Sequence, residues 1–596
     1  MNPTDEYRRR RDARRAEADR LFAHTDRLGQ WRMGLLLAGI AAAIIGGVTH
    51  WFAPWWGLLA LVPIVVLFVR AAHLTASKRW FDRLTRYYDL GLKRLGGDWP
   101  GTGNRGERFL DPAHLCAADL DLFGRGSLFE RVCTARTAAG EDRLAGWFTQ
   151  QASAEVVTAR QQEVADLRSR LDLREALAAA GAEVASGADY KPLVEWAETV
   201  APPQPDWRRT AVFALGGVNV VAAAAWLVVD GFGFVLLASA VVSFVVAWPM
   251  KRWAHAGVDP VEEATRDLGL LETVLARLEA EPFASDRLKE LQQGLSADGV
   301  KASEQVRQLG RLADWYAARR NVFFLPFRLL LLWDTRMALR LDGWRRRAGP
   351  VLARWLDAVA EMEALSSLAA YAFENPADPF PTVTDGPPRF EGVQIGHPLL
   401  PADSCVRNDV SLGDRPGQTV RVLLVSGSNM SGKSTLLRAV GVNAVLALAG
   451  GPVRAASLTV SPVSLAATMR VQDSLADGKS RFFAEVVRVR AALDAAKAGP
   501  LLFLFDELFA GTNSADRVRG ATGVIHTLLD AGAIGLVTTH DLAMTDVPAD
   551  VRKRVMNVHF ADRWDGGGLA FDYVMRPGVV AHTNGVALMR AVGLEV

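Results

Sequence analysis

Three short stretches of this 596-residue chain carry residue types at spacings that could do chemistry. The first is Gly427-Ser428-Asn429-Met430-Ser431-Gly432-Lys433-Ser434-Thr435, which fits GxxxxGK[ST]. Glycines there let backbone N–H groups approach a phosphate, and a helix starting behind them turns its positive dipole end toward the negative charge. In that pattern Lys433 reaches the β- and γ-phosphates of a nucleotide and Ser434 ligates Mg2+. The second stretch, Leu501–Glu507 (LLFLFDE), is an apolar run that ends in two carboxylates. Asp506 is suited to hold Mg2+ through water, and Glu507 to polarise an attacking water as general base. The third, Val537-Thr538-Thr539-His540-Asp541, ends a short apolar run in a histidine. A lone histidine is ordinarily structural, but behind a phosphate loop His540 is read as a γ-phosphate sensor. A further segment, Asp473–Glu485, contains Gly478-x-Ser480 ahead of an amphipathic helix. It suits either a phosphate at a helix N-terminus or a plain Ser480 cap with Glu485 early in the helix, and its residues leave both open.

These residues need strands to carry them and helices behind them. Val420–Val425 before the glycines and Leu436–Leu448 after them supply strand and helix, and the alternation of short apolar runs with helical patterns from about residue 390 is an α/β signature. Residues 375–389 (NPADPFPTVTDGPPR) are Pro-rich and mark a boundary. Upstream, 107–200 and 258–372 read as helical. In the latter, Trp333, Met337, Leu341, Trp344, Leu352, Trp355, Val359 and Met362 form a core-packing stripe that Gly349-Pro350 is expected to break or kink. Half of the residues are hydrophobic and 22% charged, with mean hydropathy +0.10. That excludes a disordered chain, and a net charge of +2 excludes a polycation built to coat nucleic acid. Cys116, Cys133 and Cys405 share no CxxC spacing, so neither a zinc knuckle nor a disulfide framework is expected, and a reducing compartment is.

The apolar residues are segregated. Met33–Val69 contains no Asp, Glu, Lys or Arg and has Pro54 near its middle; Thr210–Met250 has one acid, Asp230, followed by Gly231. One bilayer crossing takes about 20 apolar residues, so each stretch fits a hairpin of two crossings. Arg8–Arg11, Arg14 and Arg15, then Lys78-Arg79, flank the first hairpin, and Arg208-Arg209 and Lys251-Arg252 the second. The turns at 51–56 and 230–232 carry no Lys or Arg, which puts both termini and everything between the hairpins in the cytoplasm. Trp51, Trp55, Trp56, Trp207, Trp248 and Trp253 stand where interfacial aromatics stand. The arginine-rich start is expected to be a solvated juxtamembrane segment drawn to anionic lipid rather than a nucleic-acid arm.

Residues 390–596 resemble the ATPase domain of the MutS mismatch-repair family, an ABC-type P-loop fold. Gly427–Thr435 is close to that family's GPNMGGKST, Asp473–Glu485 to DDLxxGxSTFxxE, Asp506-Glu507-Leu508 with Gly511-Thr512 to DELGRGT, and Thr539-His540 to ATH. Gly396-His397-Pro398 and Asn408 resemble the segments leading into the nucleotide pocket, and the tail from Tyr573 through Gly578, Asn584-Gly585 and Gly593-Leu594 resembles a dimerising helix–turn–helix. More weakly, Gly126-Ser127-Leu128, Thr137, Gly140, Leu144 and Arg160-Gln161 look like the start of the family's helical core, and 258–372 like its lever helices. The resemblance implies a homodimer with two composite ATP sites. Gly478 and Ser480 of one subunit would face the γ-phosphate held by Lys433 of the other, and Tyr573 falls where an adenine-stacking His is found. The sequence departs from the pattern at Arg481, where the family has Thr, at Phe509-Ala510, where it has Gly-Arg, and at Cys405 or Val406, where an aromatic is expected. The N-terminal region has arginines and an apolar hairpin where a mismatch-reading domain would stand, and no long DNA-gripping insert follows.

The expected architecture is multi-domain α and α/β: an Arg-rich cytoplasmic start (1–32), two transmembrane hairpins (33–73 and 210–250), a MutS-core-like region (107–200), a lever-like region (258–372) and a P-loop ATPase (390–596). The leading reading is a membrane-anchored MutS-like enzyme using ATP and Mg2+, with the bilayer, DNA and an unidentified protein as candidate partners. Alternatives are an ABC-type transport or remodelling ATPase, opposed by spans with almost no interior polar group besides Asn219, and a scaffold with regulatory nucleotide binding. Against the scaffold stands the intact set Lys433, Ser434, Asp506, Glu507 and His540.

Overall fold

The computed structural model describes residues 2–49, 56, 58–59, 61–184, 191–199, 205–229, 232–250, 265–297, 299–317, 319, 324–414, 419–428, 430–469, 481–546, 548–565 and 568–580. Helices α1 (Pro3–Thr49) and α2 (Leu61–Gly96) pack along one another. Toward the connection between them their large apolar side chains, among them Leu37, Ile44, Val48, Val62, Val66 and Phe68, face outward. An outward apolar surface of this extent marks a membrane or protein contact. Both helices are long and apolar enough to cross a membrane, as are two later ones. Pro54, Asp230 and Gly231, at the expected turns, and Trp51, Trp55 and Trp253 lie outside the described residues.

The other end of this hairpin is part of a packed core. Tyr7 is fully buried, stacked on Phe373 and edge-on to Tyr88. Arg10 pairs with Glu6 and Asp172 at 2.7 and 2.6 Å, Arg14 with Glu175 at 2.5 Å, and Arg9 with Glu6 at 2.7 Å. This corrects the expectation of a solvated arginine arm. α1 runs unbroken across residue 32, and acids of the protein itself pair with Arg9, Arg10, Arg11 and Arg14; Arg8, Arg9 and Arg15 stay exposed.

The helical core continues through α3 (Leu128–Val132), α4 (Ala138–Thr149), α5 (Ala154–Arg168), α6 (Leu171–Val184) and α7 (Lys191–Glu198). Ser127, Thr137 and Ser153 cap α3, α4 and α5, each accepting a bond from a first-turn N–H. The apolar helices α8 (Asp206–Trp226) and α9 (Gly233–Ala247) form the second hairpin. Then come α10 (Thr265–Ala280), α11 (Asp286–Gln293), a two-stranded ribbon β1 (Ser296–Ala297) and β2 (Val300–Lys301), α12 (Ala302–Ala317), α13 (Leu325–Leu330) and α14 (Trp333–Glu374). Asn219 of α8 donates to Ser243 of α9 and to the Leu330 carbonyl of α13, each at 3.0 Å, so a short apolar helix joins the second hairpin.

At 42 residues, α14 is about 63 Å long. Its expected stripe is buried along Met337, Leu341, Trp344, Leu352, Trp355, Val359 and Met362. Pro350 does not end it. The proline removes one backbone donor, but Trp344 and Trp355 on either side are fully buried and hold the helix. Gly349 is required there, because a Cβ would lie 2.5 Å from the Ala197 carbonyl oxygen of α7.

The described residues between 390 and 580 form an α/β arrangement, as expected. β3 (Thr382–Val383), β4 (Phe390–Ile395), β5 (Asn408–Leu412) and β7 (Ser457–Val460) make a small sheet in the order β3-β7-β4-β5. The main sheet has the order β12-β11-β6-β10-β9-β8, from β6 (Val422–Ser426), β8 (Ser464–Thr468), β9 (Leu501–Phe505), β10 (Ile534–Thr539), β11 (Val555–Asp565) and β12 (Gly568–Pro577). All are parallel except β12, which runs antiparallel to β11. β6, β9 and β10 are buried throughout, as parallel strands covered on both faces must be. Helices α15 (Lys433–Ala449), α16 (Arg481–Ala498) and α17 (Ser514–Asp530) complete the domain.

Candidate functional site

The sheet order places three sequence motifs side by side. β10 lies between β6 and β9, so the loop after β6, the carboxylates after β9 and the threonines ending β10 all meet at one carboxyl edge. Ligands of open α/β sheets bind at that edge. Gly432, at φ 104°, ends the loop and Lys433 begins α15, so the helix N-terminus points into the site. Gly427 is at φ 149°, and a Cβ there would lie 2.9 Å from Ser431 Oγ.

Lys433 is 5% exposed, and its Nζ donates to the carbonyls of Gly427 and Ser428 at 2.8 and 2.9 Å. Burial lowers its pKa, with Glu507 and Asp506 pulling the other way. Ser434 Oγ donates to Asp506 Oδ2 at 2.6 Å. Thr538 Oγ1 donates to the other oxygen, Oδ1, and accepts from the Glu507 backbone N–H at 3.0 Å. Sequence reasoning gave Thr538 no role; its only signal was its place at the end of a buried strand. Glu507 sits at φ 50°, a strained conformation for a residue with a side chain. Its carboxylate is 3.9 Å from Lys433 Nζ and 3.4 Å from His540 Nδ1. Arg517 Nη1 lies 3.2 Å from His540 Nε2. An arginine can only donate, so Nε2 must accept and Nδ1 carries its proton toward Glu507.

The motif's departure at Phe509 is absorbed by packing. Phe509 keeps a positive φ of 58°, where the resembling pattern has glycine, while its ring is buried edge-on against Phe482 at 6.0 Å. Glu485 of α16 accepts from the Phe509 N–H at 2.6 Å and so ties the signature helix to the carboxylate loop.

A cavity of about 570 Å3 opens over the loop, lined among others by Ser428, Met430, Ser431, Thr435, Asn408 and Tyr573. Tyr573 lies over Gly432, where a Cβ would come within 3.1 Å of its ring. Asn408 is engaged twice by β12, donating to the Tyr573 carbonyl at 3.0 Å and accepting from Met575 N–H at 2.7 Å. It therefore positions Tyr573 by holding its strand. Leu400 and Val406 add aliphatic side chains to its lining. His397 also lines it; burial, with Arg438 nearby, lowers its pKa to about 4, so it is neutral. Asn429, Gly478, Ser480, Asn584-Gly585 and Gly593-Leu594 lie outside the described residues.

The donor set fits a magnesium nucleotide. Ser428 Oγ and Ser431 Oγ are buried without partners, as phosphate-binding hydroxyls without a phosphate would be. Among the described residues no cluster of three His, Cys, Asp or Glu could hold a metal by itself. Ser434 and Asp506 could hold Mg2+ only together with phosphate oxygens, as this ion is commonly bound.

Residues 423–595 match the family model described as MutS domain V. A DNA mismatch repair protein MutS 2 of Halobacterium salinarum is 34% identical over 244 residues, covering 40% of this chain and 27% of that protein. A DNA mismatch repair protein MutS of Natronomonas pharaonis is 34% identical over 242 residues with the same coverage, and one of Lactobacillus johnsonii 29% identical over 271. The chain thus spans about a quarter of the length of the first two relatives.

Proposed function

From the premise that this chain is a divergent member of the MutS family through its C-terminal domain, we propose that it is a membrane-anchored ATPase whose nucleotide cycle moves its helical arms. The observation carrying the ATPase reading is the chain of contacts Ser434–Asp506–Thr538–Glu507 beside a buried Lys433 and two unpartnered serine hydroxyls. Lys433, freed from the Gly427 and Ser428 carbonyls, reaches the β- and γ-phosphates. Ser434 and Asp506 would hold Mg2+, which when bound would neutralise charge developing on the phosphate oxygens. Glu507 orients water and accepts its proton, with His540 and Arg517 fixing its carboxylate. Tyr573 supports the base.

Supporting movement of the arms is the route α14 takes. At one end Arg336 donates to the Phe213 carbonyl of α8 at 2.7 Å. Just past the other, Asn375 and Asp378 hold Arg454, whose backbone N–H is bound by Asn443 of α15 at 2.7 Å. One rigid helix thereby joins the second apolar hairpin to the helix behind the phosphate loop. We read the four apolar helices as spans, with both termini and the ATPase cytoplasmic. A homodimer brings Gly478 and Ser480 of one copy to the γ-phosphate of the other. DNA is the proposed substrate class because the relatives are named for DNA mismatch repair. Mismatch reading itself is not proposed.

The test is ATP hydrolysis by the full chain in detergent, with and without duplex, mismatched and branched DNA, using Glu507→Gln as the blank. DNA stimulation that weakens with salt supports a nucleic-acid clamp. Hydrolysis indifferent to every DNA redirects the substrate to a protein or lipid partner, and no difference from the blank overturns the ATPase.

A further inference from the structure

We infer that a second cavity, of about 250 Å3 between α2 and the strap leading into α4, binds a phosphate or phosphomonoester group. Three arginines line it, Arg86 and Arg94 from α2 and Arg136 from the strap, against a single acid, Glu141. Glu141 is engaged by Arg108 at 3.2 Å, and Arg94 by Glu374 at 2.6 Å. The guanidinium groups of Arg86 and Arg136 have no hydrogen-bond or ion-pair partner among the described residues, and Arg136 Nε is sealed from solvent. Burial of Arg136, with Arg94 and Arg86 close by, lowers its pKa. Arg86 is exposed and Arg94 is paired, so the unmet charge is that of the partly buried Arg136, which is costly to leave without an anion.

Neutral donors complete the site. Tyr87, 4% exposed, lines the cavity, and its hydroxyl has no partner. Such a group is destabilising while it stays unpaired. Asn104 comes from a loop held rigid by Glu130, whose carboxylate accepts from the N–H groups of Gly101, Gly103 and Gly126 at 2.7, 3.1 and 2.7 Å, while Thr102 of the same loop already donates its hydroxyl to the Trp99 carbonyl at 2.8 Å. Asn104 Oδ1 is already used by Gly106 N–H, so its remaining capacity is the NH2 donor. Positive charge, a buried hydroxyl and a rigid loop without a competing acceptor describe an oxyanion site. Its volume holds a phosphate with a few attached atoms but no nucleotide, whose proposed cavity is more than twice as large. Arg86 lies about 12 Å further along α2 than Lys78, which favours a soluble phosphate over a lipid headgroup at the bilayer surface.

The test is thermal unfolding of the full chain in detergent, at constant ionic strength, with inorganic phosphate or glycerol phosphate replacing chloride. Lys433→Ala is used as the background, so that the phosphate loop does not take the anion. A parallel arm uses nanodiscs with and without phosphatidic acid. The melting temperature is expected to rise with the phosphates, and Arg136→Gln to weaken the apparent affinity at least about tenfold. Tyr87→Phe is the second variant. Without anion it loses only an unpaired hydroxyl and melts at the same or a higher temperature, while its response to phosphate falls severalfold. A rise confined to phosphatidic acid nanodiscs, and lost in both variants, assigns the phosphate to lipid. No rise in either arm, or an equal rise in parent and variants, overturns the site.

Discussion

Thr538 shows how much one hydroxyl can hold at this site. It bonds Asp506 and the Glu507 backbone at once, fixing both carboxylates relative to the phosphate loop. Thr538→Val keeps the shape and removes both bonds. We expect kcat for ATP to fall about 10- to 100-fold with a smaller change in KM, because positioning rather than binding is lost; steady-state hydrolysis checks this. A second residue governs pH dependence. Glu363 of α14 is buried beneath Thr137, and burial raises its pKa to about 7 although Thr137 and Arg136 donate to it. The native carboxyl therefore keeps a proton that the unfolded one, with its ordinary value of 4.5, has lost. Stability falls as pH rises between about 4.5 and 7, by up to about 1.4 kcal/mol per unit. Glu163, also raised to about 7, adds a slope of the same sign. Glu363→Gln is expected to flatten the dependence of the denaturation midpoint on pH without abolishing it; an unchanged slope refutes the assignment.

At the scale of elements, α14 bears on everything around it. Gly349 lets α7 approach so closely that a methyl group would strike the Ala197 carbonyl. Gly349→Ala is predicted to destabilise the chain by about 1–3 kcal/mol even though alanine favours helix, because the backbone cannot give way as a side chain would; denaturant titration measures it. α1 presents a similar case. The Arg10–Asp172 and Arg14–Glu175 pairs fasten its first turns to α6. A charge-reversed Glu175→Arg is expected to loosen α1, read as earlier proteolysis within residues 8–20.

For the whole molecule, the decisive question is what surrounds the outward-facing apolar helices. If they are embedded, the expressed chain stays in the membrane fraction after alkaline carbonate washing and needs detergent for release. Extraction by carbonate alone would refute the spans. On the proposed reading, anchoring and phosphate chemistry would occupy separate parts of the chain, joined through α14.

The phosphate loop, the two acids after β9 and the apolar runs were legible in the amino-acid order because each is a local pattern. A few consecutive residues suffice to write a phosphate-loop pattern, and about 20 an apolar helix of membrane length. The same order misread the arginine-rich start, left open whether Pro350 breaks or kinks its helix, gave no sign of the bonds Asn408 makes to β12, and left Thr538 unremarked. Each of these depends on partners far along the chain: Asp172 and Glu175 for the arginines, Ala197 and two buried tryptophans for the proline, Tyr573 and Met575 for the asparagine, Asp506 for the threonine. Charge neutralisation, close backbone approach and bond sharing arise only when distant segments meet, so tertiary structure alone decides them.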